Sequence, residues 1–331
     1  MKAYLVKKYK SAMEAGDAPE PTVGDDDVLV DITAAGVNML DAKLRDGEFK
    51  LILPYKTPFV LGHDVAGVVA RVGSAVTRFR VGDEVYGRPR DGRIGTFADR
   101  IAAHEDDLAI KPTSLSMAEA ASVPLVALTA WQALVERANL QPGHKVLVHA
   151  GSGGVGAYAI QLAKHLGATV TTTTGTSNLE WVRDLGADVV IDYRTQDFET
   201  VAHDHDIVLD SQGGDTLAKS FRVLKPGGTA IGIAGPPDPD FARQQGLHLP
   251  LRLAMTALSL KTRRAVRRQG VRYSFLFMRA SGTQLDEITK LIETNVLRPI
   301  LDRAYPFDEA PQALAHVEGG RTKGKVVITM A

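Results

Sequence analysis

The sequence predicts an α/β protein in two parts, a strand-rich N-terminal domain followed by a doubly wound parallel sheet. Three observations carry that expectation. At 331 residues the chain is longer than one hydrophobic core usually grows, and a 44% hydrophobic content is ample for two. Residues 145–167 run Lys-Val-Leu-Val-His-Ala, then Gly151-Ser152-Gly153-Gly154-Val155-Gly156, then a stretch with an apolar helical stripe up to Gly167. That is the spacing of a buried strand, a glycine turn and a helix. Beyond it, strand-like runs at 169–173, 189–192, 207–210 and 229–233 alternate with helical periodicity at 179–185 and 216–224, the rhythm of a parallel sheet with crossover helices.

The remaining elements follow in chain order. Residues 1–10 alternate like a short strand, and Asp25-Asp26-Asp27 reads as a turn before a strand at 28–32. The run from Gly62 to Gly87 alternates short valine-rich strands with glycine turns. From Ser116 the periodicity becomes helical, at 117–121 and 126–137, until Gln141-Pro142-Gly143 closes the second helix. Lys225-Pro226-Gly227-Gly228 is expected to end the 216–224 helix, and 271–278 alternates like an added strand. A helix at 283–295, a strand at 299–305, a helix at 308–318 and a last strand at 324–330 complete the tail.

Composition narrows the function classes. Lys plus Arg and Asp plus Glu are equal at 39 each, giving no net charge to attract nucleic acid or an anionic membrane over the chain as a whole. No cysteine is present, which removes disulfides, thiolate metal ligands and cysteine nucleophiles. The N-terminus lacks the pattern of a signal peptide and no apolar run is long enough for a membrane span, so a soluble, cytoplasmic protein is expected. His203-Asp204-His205-Asp206 reads as a polar connector rather than a metal cluster, and no metal site is expected. Arg263, Arg264, Arg267 and Arg268 fall on one helical face, read as solvated or as facing an anionic partner.

The glycine turn points to a dinucleotide. Gly151 permits the tight turn out of the strand, Gly153 leaves room for a pyrophosphate, and Gly156 lets the helix pack on the sheet, while the helix N-terminus favours the anion. Ser152, Gly154 and Val155 complete the turn. Where an acidic residue would hold an unphosphorylated ribose, this chain has Thr171 to Asn178 and no carboxylate. Thr174, Ser177 and Asn178 can donate to a 2'-phosphate, which favours NADPH.

The stretches Gly62–Gly87, Val146–Gly167 and Gly320–Ile328 together resemble the medium-chain dehydrogenase/reductase superfamily, and within it the zinc-free quinone oxidoreductase-like branch. The resemblance implies a GroES-like domain over 1–122, a Rossmann NADP(H)-binding domain over 123–280 and a return to the first domain over 281–331, with the active site in the cleft between domains. The zinc enzymes of the superfamily carry a cysteine where this chain has Asn38, so His63 is read as structural. Family position further implies Tyr193 as a wall of the adenosine pocket. Asn38, Asp41, Thr129, Ile233, Ala234, Gly235, Phe275 and Phe277 are implied around the nicotinamide. For polarising or protonating an acceptor the family positions offer Asn38, Lys43 and Tyr55. Lys325, with Arg321 and Lys323, is either near a phosphate or simply solvated. The alternating 271–278 strand leaves an apolar edge that pairing into a homodimer would cover. The activity implied is metal-free, NADPH-dependent reduction of a quinone or of the C=C bond of an α,β-unsaturated carbonyl. Two alternatives remain at this stage, a low-turnover NADPH-binding redox sensor or interaction protein, and a zinc-independent alcohol dehydrogenase.

Overall fold

The structure is a computed structural model that describes residues 1–330. The chain opens with strands β1 (Lys2–Val6), β2 (Glu14–Asp17) and β3 (Asp27–Val37), helix α1 (Met39–Arg45), and strands β4 (Phe59–Val60), β5 (Asp64–Val72), β6 (Glu84–Gly87), β7 (Arg100–His104) and β8 (Leu108–Ile110). Helices α2 (Met117–Ala121) and α3 (Pro124–Trp131) lead to β9 (Lys145–Val148), α4 (Gly154–His165), β10 (Thr169–Thr174), α5 (Leu179–Asp184), β11 (Val189–Asp192) and β12 (His205–Asp210). Then come α6 (Gly214–Ser220), β13 (Leu224–Gly232), α7 (Pro239–Gln244), α8 (Leu249–Leu258), α9 (Leu260–Gln269) and β14 (Arg272–Phe275). The tail holds α10 (Gly282–Glu293), β15 (Leu301–Pro306), α11 (Ala310–Glu318) and β16 (Lys325–Thr329).

These elements form two compact units. The first comprises Met1–Leu128 and the C-terminal segment from Arg279. Its main sheet runs β15-β16-β3-β5-β6-β8, with β7 also on β3, and β2-β1-β4 form a separate three-stranded sheet. The C-terminal strand β16 lies antiparallel to β3, with Val326 opposite Val37 and Ile328 opposite Ala35. The sequence cut at 122 falls earlier than the observed one because the start of α3 is tied to this unit: Leu125 N–H donates to the buried Asp64 carboxylate at 2.8 Å.

The second unit, Thr129–Met278, is built on the parallel sheet β11-β10-β9-β12-β13-β14. This is the dinucleotide-fold strand order, in which the chain winds outward from β9 to β11 and then restarts beside β9 at β12. Strands β9 and β12 hold apolar runs because helices cover both faces, with Val146, Leu147, Val148 and Val208 fully buried, while β10 buries a row of threonines. Two local expectations need correction. Helix α6 ends at Ser220, and Lys225-Pro-Gly-Gly lies inside β13, where a register shift between His205 and Ile207 of β12 absorbs the irregular backbone. His205 is not in a connector; it opens β12, buried, with Nε2 at 3.1 Å from Thr171 Oγ1.

Candidate active site

The second unit places the glycine turn at the carboxyl end of β9, beside the point where the strand order reverses. Gly153 is the N-cap of α4, and no side chain caps the helix. Its first-turn amides therefore have no partner from within the helix. A Cβ on Gly153 would meet only the Ala150 carbonyl, at 3.4 Å, so the space in front of these amides is free of protein. Gly151 and Gly156 answer to the opposite constraint. A Cβ on Gly151 would lie 2.2 Å from Thr172 Oγ1, and one on Gly156 2.2 Å from the Ala150 carbonyl. The left-handed bend itself falls on Ala150, at φ +53°, and not on Gly151 as the sequence suggested. The arrangement fits a pyrophosphate.

A cavity of about 710 Å³ opens at the same end of the sheet, lined by His149, Thr173, Tyr193, Arg194, Asp215 and Lys219 among others. His149 bridges Thr173 Oγ1 at 3.1 Å and Ser220 Oγ at 2.9 Å, and its ring packs edge-on to Phe198. Burial, helped by repulsion from His205, pushes its pKa down to about 4, so its imidazole is neutral at physiological pH and contributes no charge to an anion site.

In the adjoining turn, Thr174 is buried with its hydroxyl unpartnered, Ser177 is exposed, and Asn178 Oδ1 accepts from Trp181 Nε1 at 3.2 Å. The turn is not free of carboxylates. Asp192, from the end of β11, accepts from Thr176 Oγ1 at 2.6 Å and from Arg194 N–H at 3.0 Å. The next cation along the chain is the Arg194 guanidinium. It lies over the Tyr193 ring, and its Nε would be 3.4 Å, with Tyr193 Oη at 3.6 Å, from a Cβ on Gly175. Further along the sheet edge, Ile233, Ala234 and Gly235 follow β13 directly. Phe275 and Phe277 pack against Phe241 at ring distances of 5.1 and 5.9 Å. Thr129 is buried on α3.

The first unit holds a second polar centre, and it is wholly buried. Asp41 caps α1 by accepting Asn38 N–H at 2.7 Å through Oδ2, and its Oδ1 lies 2.5 Å from His63 Nδ1. Asn38 Nδ2 donates to Asp64 Oδ2 at 2.9 Å, and Asp64 Oδ2 is also 3.3 Å from Lys325 Nζ. Lys325 Nζ further donates to Asn38 Oδ1 at 2.5 Å and to the Val37 carbonyl at 2.9 Å. The cationic Lys325 thus sits where Asn38 and Asp64 converge. Elsewhere in this unit, Tyr55 stacks on Phe59, and its hydroxyl accepts from Gly92 N–H at 2.9 Å. Burial raises the Tyr55 pKa and the bond from Gly92 lowers it, while the charges of Asp91 and Arg88 act in opposite directions. Arg88 is fully buried, pairing through Nη2 with Asp91 at 2.5 Å and leaving Nε and Nη1 without partners.

Comparison with known proteins places this architecture. Residues 24–113 match the alcohol dehydrogenase GroES-like domain, and residues 185–328 match a family described as zinc-binding dehydrogenase. The chain is 37% identical to 2-methylene-furan-3-one reductase of Solanum lycopersicum, over 99% of this chain and 79% of that one. It is 35% identical to the NADPH-dependent alkenal/one oxidoreductase, chloroplastic, of Arabidopsis thaliana, over 93% of this chain and 73% of that one. The solved quinone oxidoreductase of Coxiella burnetii superposes with a TM-score of 0.87 at 30% identity, covering 100% of this chain and 99% of that one. The chain belongs to the medium-chain dehydrogenase/reductase superfamily, in its quinone oxidoreductase-like branch.

As a medium-chain reductase the protein is an oxidoreductase that uses a nicotinamide cofactor and acts on a small molecule. Among the described residues, no helix is long and apolar enough to cross a membrane. Several sequence-based roles change within this frame. Lys325 does not reach toward a phosphate and is not solvated, because all three of its donors are spent inside the first unit. Asp41 is fully buried and commits one oxygen to the helix cap and one to His63, so it has no free face for a cofactor. The Asn38 amide is likewise engaged at both ends, by Asp64 and Lys325. Lys43 lies in helix α1, and its amine pairs with Glu48 at 3.6 Å. Sequence reasoning missed Arg194 and Arg88. The first stands beside Tyr193, where a cation following an aromatic was the available signal; the second had none, since its burial depends on the folded loop.

Proposed function

We propose that the protein reduces the C=C bond of an α,β-unsaturated carbonyl, or a quinone, with NADPH and without a metal. The observation that carries this reading is the pairing of two centres of different kind. One is an open anion site at α4 and its ribose turn; the other is a buried Asn38–Asp64–Lys325 network in which the lysine ammonium supplies the positive charge. Two of the relatives are named for the reduction of enone-type compounds.

The amides of the α4 first turn, with Ser152 to Gly156, would hold the pyrophosphate, and Thr174, Ser177, Tyr193 and Arg194 would receive the 2'-phosphate. Ile233, Ala234, Gly235, Phe275 and Phe277, at and after the ends of β13 and β14, would line the nicotinamide end. When bound, the cofactor supplies a hydride. Reduction of either acceptor class places negative charge on an oxygen, and donors fixed in place lower that barrier without reorganising. The Tyr55 hydroxyl is suited to this, since it accepts from Gly92 and keeps its own proton. Arg88, paired with Asp91, keeps two unpartnered donors in the same unit. The metal-free part of the reading is supported by Lys325, whose ammonium stands at Asn38 and Asp64. A homodimer through the edge strand β14 belongs to the same reading, because β13 pairs only one side of that strand.

Arg194 provides the direct test of cofactor choice. A hydrogen bond to a charged group contributes about 1.5–3 kcal/mol, so Arg194→Ala should raise KM for NADPH by roughly ten- to a hundredfold while leaving KM for NADH nearly unchanged. Steady-state kinetics with an enone acceptor and each cofactor reads both values. Equal losses with the two cofactors, or better efficiency of the wild type with NADH, would overturn the preference.

A further inference from the structure

The charge balance of the chain hides a local imbalance. Lys plus Arg equal Asp plus Glu at 39 each overall, yet from Phe241 to Met278 there are eight Lys and Arg and no Asp or Glu. Among the described residues, Arg252, Lys261, Arg263, Arg264, Arg267 and Arg268 form no ion pair. They lie on two consecutive ten-residue helices, α8 and α9, that connect the last two strands of the parallel sheet.

The same helices expose leucine. Leu249, Leu253 and Leu258 are 64%, 62% and 68% exposed and Leu260 is 42% exposed, whereas Met255 is the buried residue within α8 and Val266 that within α9. Leu249 and Leu253 are one turn apart and share a cleft of about 230 Å³ with Arg243 and Arg252. Arg243 is held by Asp240, which leaves the Arg252 guanidinium over a leucine floor, a combination that suits an anionic headgroup joined to an apolar chain.

Two other occupants fit less well. A second copy docking through this same face by twofold symmetry would oppose six uncompensated cations with their own duplicates, which raises the energy of the contact. Nucleic acid would satisfy the cations and leave four leucines in water. An anionic bilayer answers both, since the cations meet lipid phosphates and the leucines enter the boundary between headgroups and acyl chains. We propose that α8 and α9 form a docking surface for an anionic phospholipid membrane. The surface is separate from the glycine turn, and the inference does not depend on the acceptor being an enone or a quinone.

Co-sedimentation with large vesicles tests it on the full chain. Vesicles of equal parts phosphatidylcholine and phosphatidylglycerol should bring down the wild type at low salt, pure phosphatidylcholine vesicles should not, and added salt should release it. At about a fivefold effect per cation near an anionic surface, the quadruple change Arg263→Gln, Arg264→Gln, Arg267→Gln and Arg268→Gln should weaken binding by more than about a hundredfold. Leu249→Ser with Leu253→Ser should weaken it by about tenfold or more. Unchanged NADPH binding and circular dichroism would show both variants folded. Wild-type protein that stays in the supernatant at low salt, binding of equal strength to neutral vesicles, or a leucine variant that dissolves a dimer without altering lipid binding would each overturn the proposal.

Discussion

Gly153→Val should yield a folded protein that no longer binds its cofactor. The backbone at Gly153 is extended, at φ −83° and ψ 169°, which valine adopts readily, and an added Cβ touches only the Ala150 carbonyl at an ordinary 3.4 Å. The stability loss should therefore stay near the ~1 kcal/mol typical of a poorer helix N-cap. The side chain would instead fill the space in front of the α4 amides. Losing two charge-assisted hydrogen bonds at about 1.5–3 kcal/mol each corresponds to a rise in Kd of roughly a hundredfold or more, read by quenching of NADPH fluorescence. Gly156→Ala is the informative contrast in the same turn. Its Cβ would lie 2.2 Å from a backbone oxygen, so helix or strand must move. The cost should be about 3 kcal/mol or more, in the range of overpacked sites, and it should appear in the melting curve. Cofactor binding by Gly153→Val within a few-fold of wild type would remove the pyrophosphate from this turn.

Lys325→Met should destabilise the protein more than any exposed charge change. Lys325 and Asp64 are both buried, and the lysine also holds Asn38 Oδ1 and the Val37 carbonyl. Removing one partner of such a pair leaves the other charge without compensation, a loss of about 3–5 kcal/mol. For a unit of this size that is a fall in Tm of roughly 10 °C. Adding Asp64→Asn to Lys325→Met should recover part of the loss, because the uncompensated charge then disappears. A shift of only a degree or so in Lys325→Met, or an additive double variant, would show that the two groups are not coupled.

The contrast between these two sites explains what the sequence could convey. The glycine turn is a local object: strand, glycines and helix lie within a short stretch of chain, and each glycine answers to a neighbour in the same unit, so spacing alone announces it. The parallel sheet was legible for the same reason, since β9 and β12 bury apolar runs. Lys325 reaches Asn38 across 287 positions in the sequence, and three basic residues before a terminal strand look alike whether solvated or buried. Asp192 was missed at the ribose turn because it arrives from β11 rather than from β10. Helix α7 was missed because it spans only six residues, with Phe241 and Ala242 buried and too few turns to set a period, and α8 because three of its leucines point to solvent, so no buried stripe marks the period.

The central claim is that reduction occurs at carbon–carbon or quinone unsaturation without a metal. The most direct measurement is the fate of a label, using chelator-treated protein and NADPH deuterated at its transferable position. An α,β-unsaturated ketone should acquire the deuterium at its β-carbon, with the carbonyl intact and the rate unaffected by chelation. Deuterium at a carbinol carbon, with simple aldehydes reduced, enones and quinones untouched, and activity lost on chelation, would contradict the account and establish an alcohol dehydrogenase instead.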